Sequence, residues 1–405
     1  MLMSSTKPSS QGDRFRPSTG MITLYGVIAA ALFSASSSAP TPVYHLYQES
    51  LGLSHLMLTV IFASYAISLL VSLLTVGGLS DYVGRKPMIL AALLLNAAAM
   101  IIFILAGSAT ELVIARVIQG FATGAAMTTM GAAILDNDKG RAPILNSVTA
   151  FIGLTFGSLV SGAFVAWLPM PTHLIYVLLF AISAILLLLL PLIPESTAGK
   201  PGALRAIVPQ VRVPRAARKT LARITPVNIA GWALGGFYFS LMPSLVRAAT
   251  GLTSPFVGGL VVALLTLTAT FVVLILRNRP GAQVLSIGTI SLIAGVAVTL
   301  GGVWLHFSPV LIAGAMITGI GFGGCFSGAM RTIVPLAAPD ERAGLLAAFF
   351  VQSYLAFSLP AVLVGLAAPV LGLSYSAYIY GAAVMALATI SLIAARLPEK
   401  ALSEA

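Results

Sequence analysis

The sequence predicts an all-α membrane protein with 12 transmembrane helices, arranged as two six-helix halves around a central cavity. Three observations carry this. Apolar residues make up 58% of the 405, and charged residues only 8%, where a soluble domain carries roughly 25% charged residues. Apolar runs long enough to cross a bilayer recur along the whole chain. The cations cluster between those runs on one side only. Helices rather than open sheets follow because lipid offers nothing to an unpaired backbone group.

The spans fall near 21–43, 56–76, 88–106, 111–135, 145–168, 173–193, 226–246, 254–276, 282–305, 309–333, 343–368 and 375–397. An even count puts both termini on one side. Every Lys and Arg except Arg116 and Arg247 falls on that side. The positive-inside rule therefore makes it the cytoplasm, and the expected location is the cytoplasmic (inner) membrane. Residues 1–20, with Lys7, Arg14 and Arg16, read as a cytoplasmic tail rather than a signal peptide, and 398–405 as a second tail.

Residues 195–225 interrupt the hydrophobicity. They hold Lys200, Arg205, Arg212, Arg215, Arg218, Lys219 and Arg223 against the single acid Glu195. Pro201, Pro209 and Pro214 break any long helix there. This segment reads as a linker between halves 21–194 and 226–397, and its charge suits an anionic leaflet. Either a regulatory or an orientation-setting role fits it. Six spans, a linker and six spans is a parallel-repeat plan.

Composition also excludes. The net charge of +11 lies at helix ends rather than on one soluble face, so nucleic acid is not the expected partner. One cysteine, Cys325, allows no internal disulfide and no cysteine metal cluster. His45, His55, His173 and His306 scatter near outer helix ends and read as interfacial residues. Zinc-protease, nucleophile-elbow and P-loop patterns are all missing. No enzyme activity, cofactor or metal is expected.

The connection between spans 2 and 3 reads Gly77-Gly78-Leu79-Ser80-Asp81-Tyr82-Val83-Gly84-Arg85-Lys86. Gly77 and Gly84 permit tight turning. Asp81 is an acceptor suited to the positive end of a helix. On its own this is a charged, topology-setting turn. The pattern Gly-x-x-x-Asp-x-x-Gly-Arg-Lys resembles the signature loop of the major facilitator superfamily. That resemblance covers about 21–397 and implies secondary transport by alternating access. It brings Asp81 to the start of span 11, near Ala343, and pairs Arg85 with Asp136, closing the cytoplasmic side. Tyr82 stands where the family usually carries Arg or Lys. Loop 8–9 keeps only Arg277-Asn278-Arg279-Pro280.

Span 4 contains Arg116-Val117-Ile118-Gln119-Gly120, similar to the superfamily's Arg-x-x-Gln-Gly motif. A charge in a span costs about 2.5–3.5 kcal/mol even on insertion scales, so it normally meets water, a partner or substrate. Snorkelling to the nearby outer end is the alternative. The resemblance gives Arg116 and Gln119 to proton coupling or substrate binding. Gly120 and Gly124 form a small-xxx-small face. Span 5 carries Gly153, Gly157 and Gly162. It resembles the drug–proton antiporter helix, with Ser158 and Ser161 in place of a Pro and a Gly.

Phe33, Tyr65, Trp232, Tyr238, Gln352, Tyr354 and Phe357 are candidate cavity residues; packing is the alternative for each. None of the 11 acids lies deep in a span. A cavity with Arg116 and no carboxylate disfavours strongly cationic substrates. Asp81, Glu111 and Asp136 are the carboxylates available for proton coupling, Asp81 first. The resemblance implies a monomer that moves a small molecule using the proton gradient, with export by antiport leading. A proton-coupled importer of a metabolite or organic anion is the alternative. A non-transporting receptor or scaffold is the reading from another class.

Overall fold

The computed structural model describes residues 19–252 and 254–395. Nearly all of both expected tails lies outside them. Every apolar run is helical, and among the described residues there is no strand. The first half contains α1 (Thr19–Ser38), α2 (Pro40–Leu51), α3 (His55–Thr75), the short α4 (Ser80–Val83), α5 (Arg85–Leu105), α6 (Ala109–Asn137), α7 (Ala142–Trp167) and α8 (Leu174–Leu189). A single turn, α9 (Ala203–Ala206), lies in the linker. The second half contains α10 (Arg215–Ser240), α11 (Met242–Thr250), α12 (Pro255–Ile275), α13 (Gly281–Trp304), α14 (Ser308–Ile333), α15 (Arg342–Leu371) and α16 (Leu373–Ala394).

Span 1 runs on to Leu51, eight residues beyond the expected end: α1 and α2 part only at Ala39, which keeps helical backbone angles, and the two form one continuous span. Span 7 begins earlier than expected, at Arg215, and bends by 67° between α10 and α11. Proline stands at both junctions. Pro40 and Pro42 open α2, and Pro243 opens α11. Proline cannot donate to the carbonyl four residues back. Ser36 O, Ser38 O and Phe239 O therefore lose their own-helix donors.

Within the first half, close packing rests on small residues. A Cβ at Gly124 would stand 2.7 Å from Leu69 O, and one at Gly153 would stand 2.5 Å from Ala31 O. Gly120 packs on Tyr65 O and Gly157 on Ala35 O. These approaches let hydroxyls bond across helices. Ser68 Oγ donates to Val117 O (2.6 Å), Ser72 Oγ to Phe121 O (2.7 Å) and Ser38 Oγ to Leu154 O (2.8 Å). Glycine-dense α14 packs the same way, Gly324 against Gly288 of α13.

Two apolar clusters result. One is drawn almost wholly from α1–α8, with Phe239, Val262 and Phe357 joining from the second half; the other comes from α10–α16, with Phe151 joining from the first. The halves meet chiefly along α3 with α15 and α7 with α12. Gly162 is part of that seam: its Cβ would stand 3.3 Å from Gly259 Cα. The end of the bundle bearing Arg85 and the linker is its basic end.

Candidate functional site

The prolines of the first span create the most distinctive site. Pro40 strands Ser36 O, and Gln119 Nε2 from α6 donates to it at 2.8 Å. Arg116, one turn earlier on α6, donates through Nη1 to Ser37 O (3.0 Å) and to Gln119 Oε1 (2.6 Å). Its Nη2 donates to Tyr44 OH at 2.7 Å on α2. The guanidinium lies 4.7 Å from the Tyr65 ring centre and 5.8 Å from that of Tyr44. Arg116 is 0% exposed, so it does not snorkel.

No carboxylate pairs with this cation among the described residues. Hydrogen bonds to a charged group contribute roughly 1.5–3 kcal/mol each, and two aromatic faces add cation–π attraction. Together they offset the desolvation of the charge. Nε alone has no partner. The Arg-x-x-Gln spacing thus has a local reason: i and i+3 on one face brace both sides of one proline junction. Glu111, in contrast, is engaged at the start of α6. It accepts from Gly107 N (2.7 Å) while Ser108 Oγ accepts from Glu111 N (3.3 Å), a capping arrangement.

Aromatic residues gather on the seam beside this site. Tyr65, Phe62 and Phe357 join one cluster, with Trp232 and Tyr354 packed against it. Phe62 and Phe357 approach at 4.8 Å across the halves, and Trp232 and Tyr354 at 5.0 Å. Trp232, Tyr354 and Gln352 keep part of their surface. Gln352 Oε1 accepts from Thr225 Oγ1 at 3.1 Å. Two expected cavity residues stand elsewhere. Phe33 is fully buried in the first-half cluster. Tyr238 is buried in the second, bonded to Thr299 Oγ1 at 3.2 Å.

At the basic end, Arg85 lies between Asp81 (2.6 Å) and Asp136 (3.1 Å) and donates to Ser80 Oγ. The Arg85–Asp136 pair expected from the resemblance is present. Asp81 does not reach α15: it pairs within its own loop and is 57% exposed. Sequence reasoning passed over Glu195. Its carboxylate accepts from Arg85 N (2.8 Å), Lys86 N (2.9 Å), Ser196 N (3.0 Å) and Thr197 N (3.2 Å). The signal was available, because α5 starts after Gly84 with no local side-chain cap, and bare helix N–H groups need an acceptor. Gly84 sits at φ +97, where a Cβ would be strained and would stand 2.7 Å from Glu195 Oε2. Ser196 and Thr197 hydroxyls donate to Asp136, and Lys86 Nζ to Pro191 O. A Cβ at Gly77 would stand 3.4 Å from Thr128 Cγ2.

The opposite end is bonded between halves. Thr41 Oγ1 donates to Phe239 O at 2.9 Å, supplying the donor that Pro243 removed. Ser244 Oγ reaches Gln48 Oε1 (3.4 Å), and Arg247 Nη1 reaches Glu49 Oε1 (2.6 Å). Among the described residues, every cross-half side-chain hydrogen bond lies here or near mid-bundle, where Thr155 and Thr266 hydroxyls meet at 2.8 Å. Glu49→Lys places two cations face to face and is expected to loosen this end. A cysteine at half-buried Ser244 should then react about fivefold faster with an impermeant thiol reagent, matching ~1 kcal/mol for one such pair. The charge swap with Arg247→Glu should restore slow labelling.

An all-helical bundle of membrane-length helices in two halves, the second entered through a helix bent at a proline, is the fold of a polytopic membrane protein. The family model described as Major Facilitator Superfamily matches residues 26–351. The chain belongs to that superfamily. Its fold is similar to a bacterial homologue of the human lysosomal transporter Spinster, solved inward-facing and unoccupied (TM-score 0.74, 13% identity, 94% of this chain and 98% of that one). It is similar also to the nucleoside transporter NupG (0.70, 13%, 94% and 99%). The human organic anion transporter MFSD10 is a third (0.67, 15%, 93% and 100%). No curated protein matches in sequence.

Proposed function

We propose that this chain is a proton-coupled secondary transporter of the cytoplasmic membrane, exporting small amphipathic molecules by alternating access. The observation that carries the reading is the asymmetry of the seam. The end holding Glu49 and Arg247 is bonded across the halves, while Asp81 at the basic end stays on its own half. If the basic residues are inside, this asymmetry fits an inward-open arrangement with both termini cytoplasmic. Closing the basic end would bring Asp81 to the start of α15, where a helix dipole favours a carboxylate. Protonating Asp81 weakens that attraction, which is how a proton would be coupled to the movement.

The substrate is expected to be neutral, zwitterionic or anionic, since the span interiors carry no carboxylate to pair a cation; Arg116, fully enclosed by its own partners, adds only its field. An importer of an organic anion fits the same charge pattern and is the second reading. The test is reconstitution in liposomes with an internal pH dye, adding size-matched cationic, neutral, zwitterionic and anionic amphiphiles. Substrate-dependent proton flux supports coupled transport, and its sign separates export by antiport from symport. Flux chiefly with cations would overturn the charge argument. Silence with folded protein would favour a receptor or scaffold. Asp81→Asn should slow coupled flux about tenfold, equivalent to ~1.4 kcal/mol; undiminished flux removes Asp81 from the coupling.

A further inference from the structure

The linker is fastened at two points. Lys200 N donates to Tyr82 O at 2.8 Å, on the first half. Arg212 N donates to Gly344 O at 3.2 Å, at the start of α15 in the second. Residues 201–211 therefore bridge the halves at the basic end. Apolar side chains on this bridge face outward: Leu204 is 82% exposed, Val208 63%, Val211 52% and Ile207 38%. Single exposed apolar residues are ordinary. These four lie within eight residues, Leu204 on the single turn of α9 and the other three on the non-helical chain that follows it. Such a patch beyond the bilayer-crossing helices needs a covering surface.

Charge says which surface. From 200 to 219 the chain carries Lys200, Arg205, Arg212, Arg215, Arg218 and Lys219 and no acid. Arg215, Arg218 and Lys219 are exposed on the first turns of α10. Apolar side chains beside a purely cationic set suit the boundary between acyl chains and anionic headgroups. Pro209 keeps the anchor short by stopping a longer helix. We propose that residues 200–219 form an interfacial site for anionic lipid, with Leu204, Ile207, Val208 and Val211 inserted below the headgroups and the flanking cations against them.

The experiment uses the full chain in nanodiscs, with an environment-sensitive fluorophore on Leu204→Cys and, separately, on Val208→Cys. Both positions are exposed, so folding should be unaffected, and the wild-type chain with its buried Cys325 is the labelling blank. Phosphatidylcholine discs are compared with discs containing phosphatidylglycerol, with and without brominated acyl chains. Expected is a blue shift and about twofold stronger bromine quenching in the anionic discs, lost in high salt. Arg212, Arg215, Arg218 and Lys219 all changed to Gln should abolish the difference. Equal quenching in both compositions overturns the proposal. So does a blue-shifted probe that bromine never quenches, which would mean that the patch packs against protein.

Discussion

Arg116→Ala is expected to lower transport by about two orders of magnitude, the equivalent of ~3 kcal/mol. The loss has three parts: Ser37 O, Gln119 Oε1 and Tyr44 OH each lose a charged donor. Without it, the junction between α1 and α2 keeps only Gln119 as a brace from α6. Arg116→Lys retains the charge and should still fail, since a single ammonium cannot reproduce the planar fork that lies near two tyrosine rings while bonding three acceptors. The measurement is proton flux in liposomes beside thermal unfolding in detergent. Wild-type flux in Arg116→Lys would mean that charge alone matters and the brace does not. Low flux with wild-type thermal stability would place the defect in movement rather than folding.

Gly157→Val is expected to prevent a stable fold. The added Cβ falls on Ala35 O and Ser38 Oγ, and α1 must retreat from α7. Overpacking in a core commonly costs about 1–3 kcal/mol when side chains can give way; a backbone carbonyl within a helix cannot. The loss of Ser38 Oγ to Leu154 O would follow. Gly301→Ala provides the contrast. Nothing lies within 4 Å of its Cβ, and it sits in the interior of α13. There the substitution should stabilise slightly, by roughly 0.5–1 kcal/mol from helix propensity. Size-exclusion profiles and melting temperatures of the two variants should move in opposite directions.

The transmembrane layout was legible because length and hydropathy suffice to place a helix in lipid, and because cations mark one side. The Arg85–Asp136 pair was legible from the signature loop. The bend in span 7 and the freed carbonyls of span 1 were not, although Pro40, Pro42 and Pro243 stand in plain view. Hydropathy averages over a bend, and proline in a membrane helix bends or not according to which neighbours take up the freed carbonyl. Asp81 was assigned a partner at the start of α15 on the resemblance; in the structure it pairs with Arg85 four residues on, a local contact that the loop's own spacing allows. Glu195 looked like a stray acid in a basic linker, since its role depends on a helix start more than 100 residues earlier. Phe33 and Tyr238 share residue type with the seam aromatics but sit on faces that only the packing decides.

The bond from Thr41 to Phe239 O has one more implication. In the alternating-access cycle proposed above, that end opens and the two halves part, and the carbonyl that Pro243 left without a donor has none within its own helix. A buried carbonyl left bare is costly, so water must follow the separating helices to the level of the break. Opening is therefore a wetting event as well as a rotation, and osmotic stress that withdraws water should hold the protein in its present closed-end form.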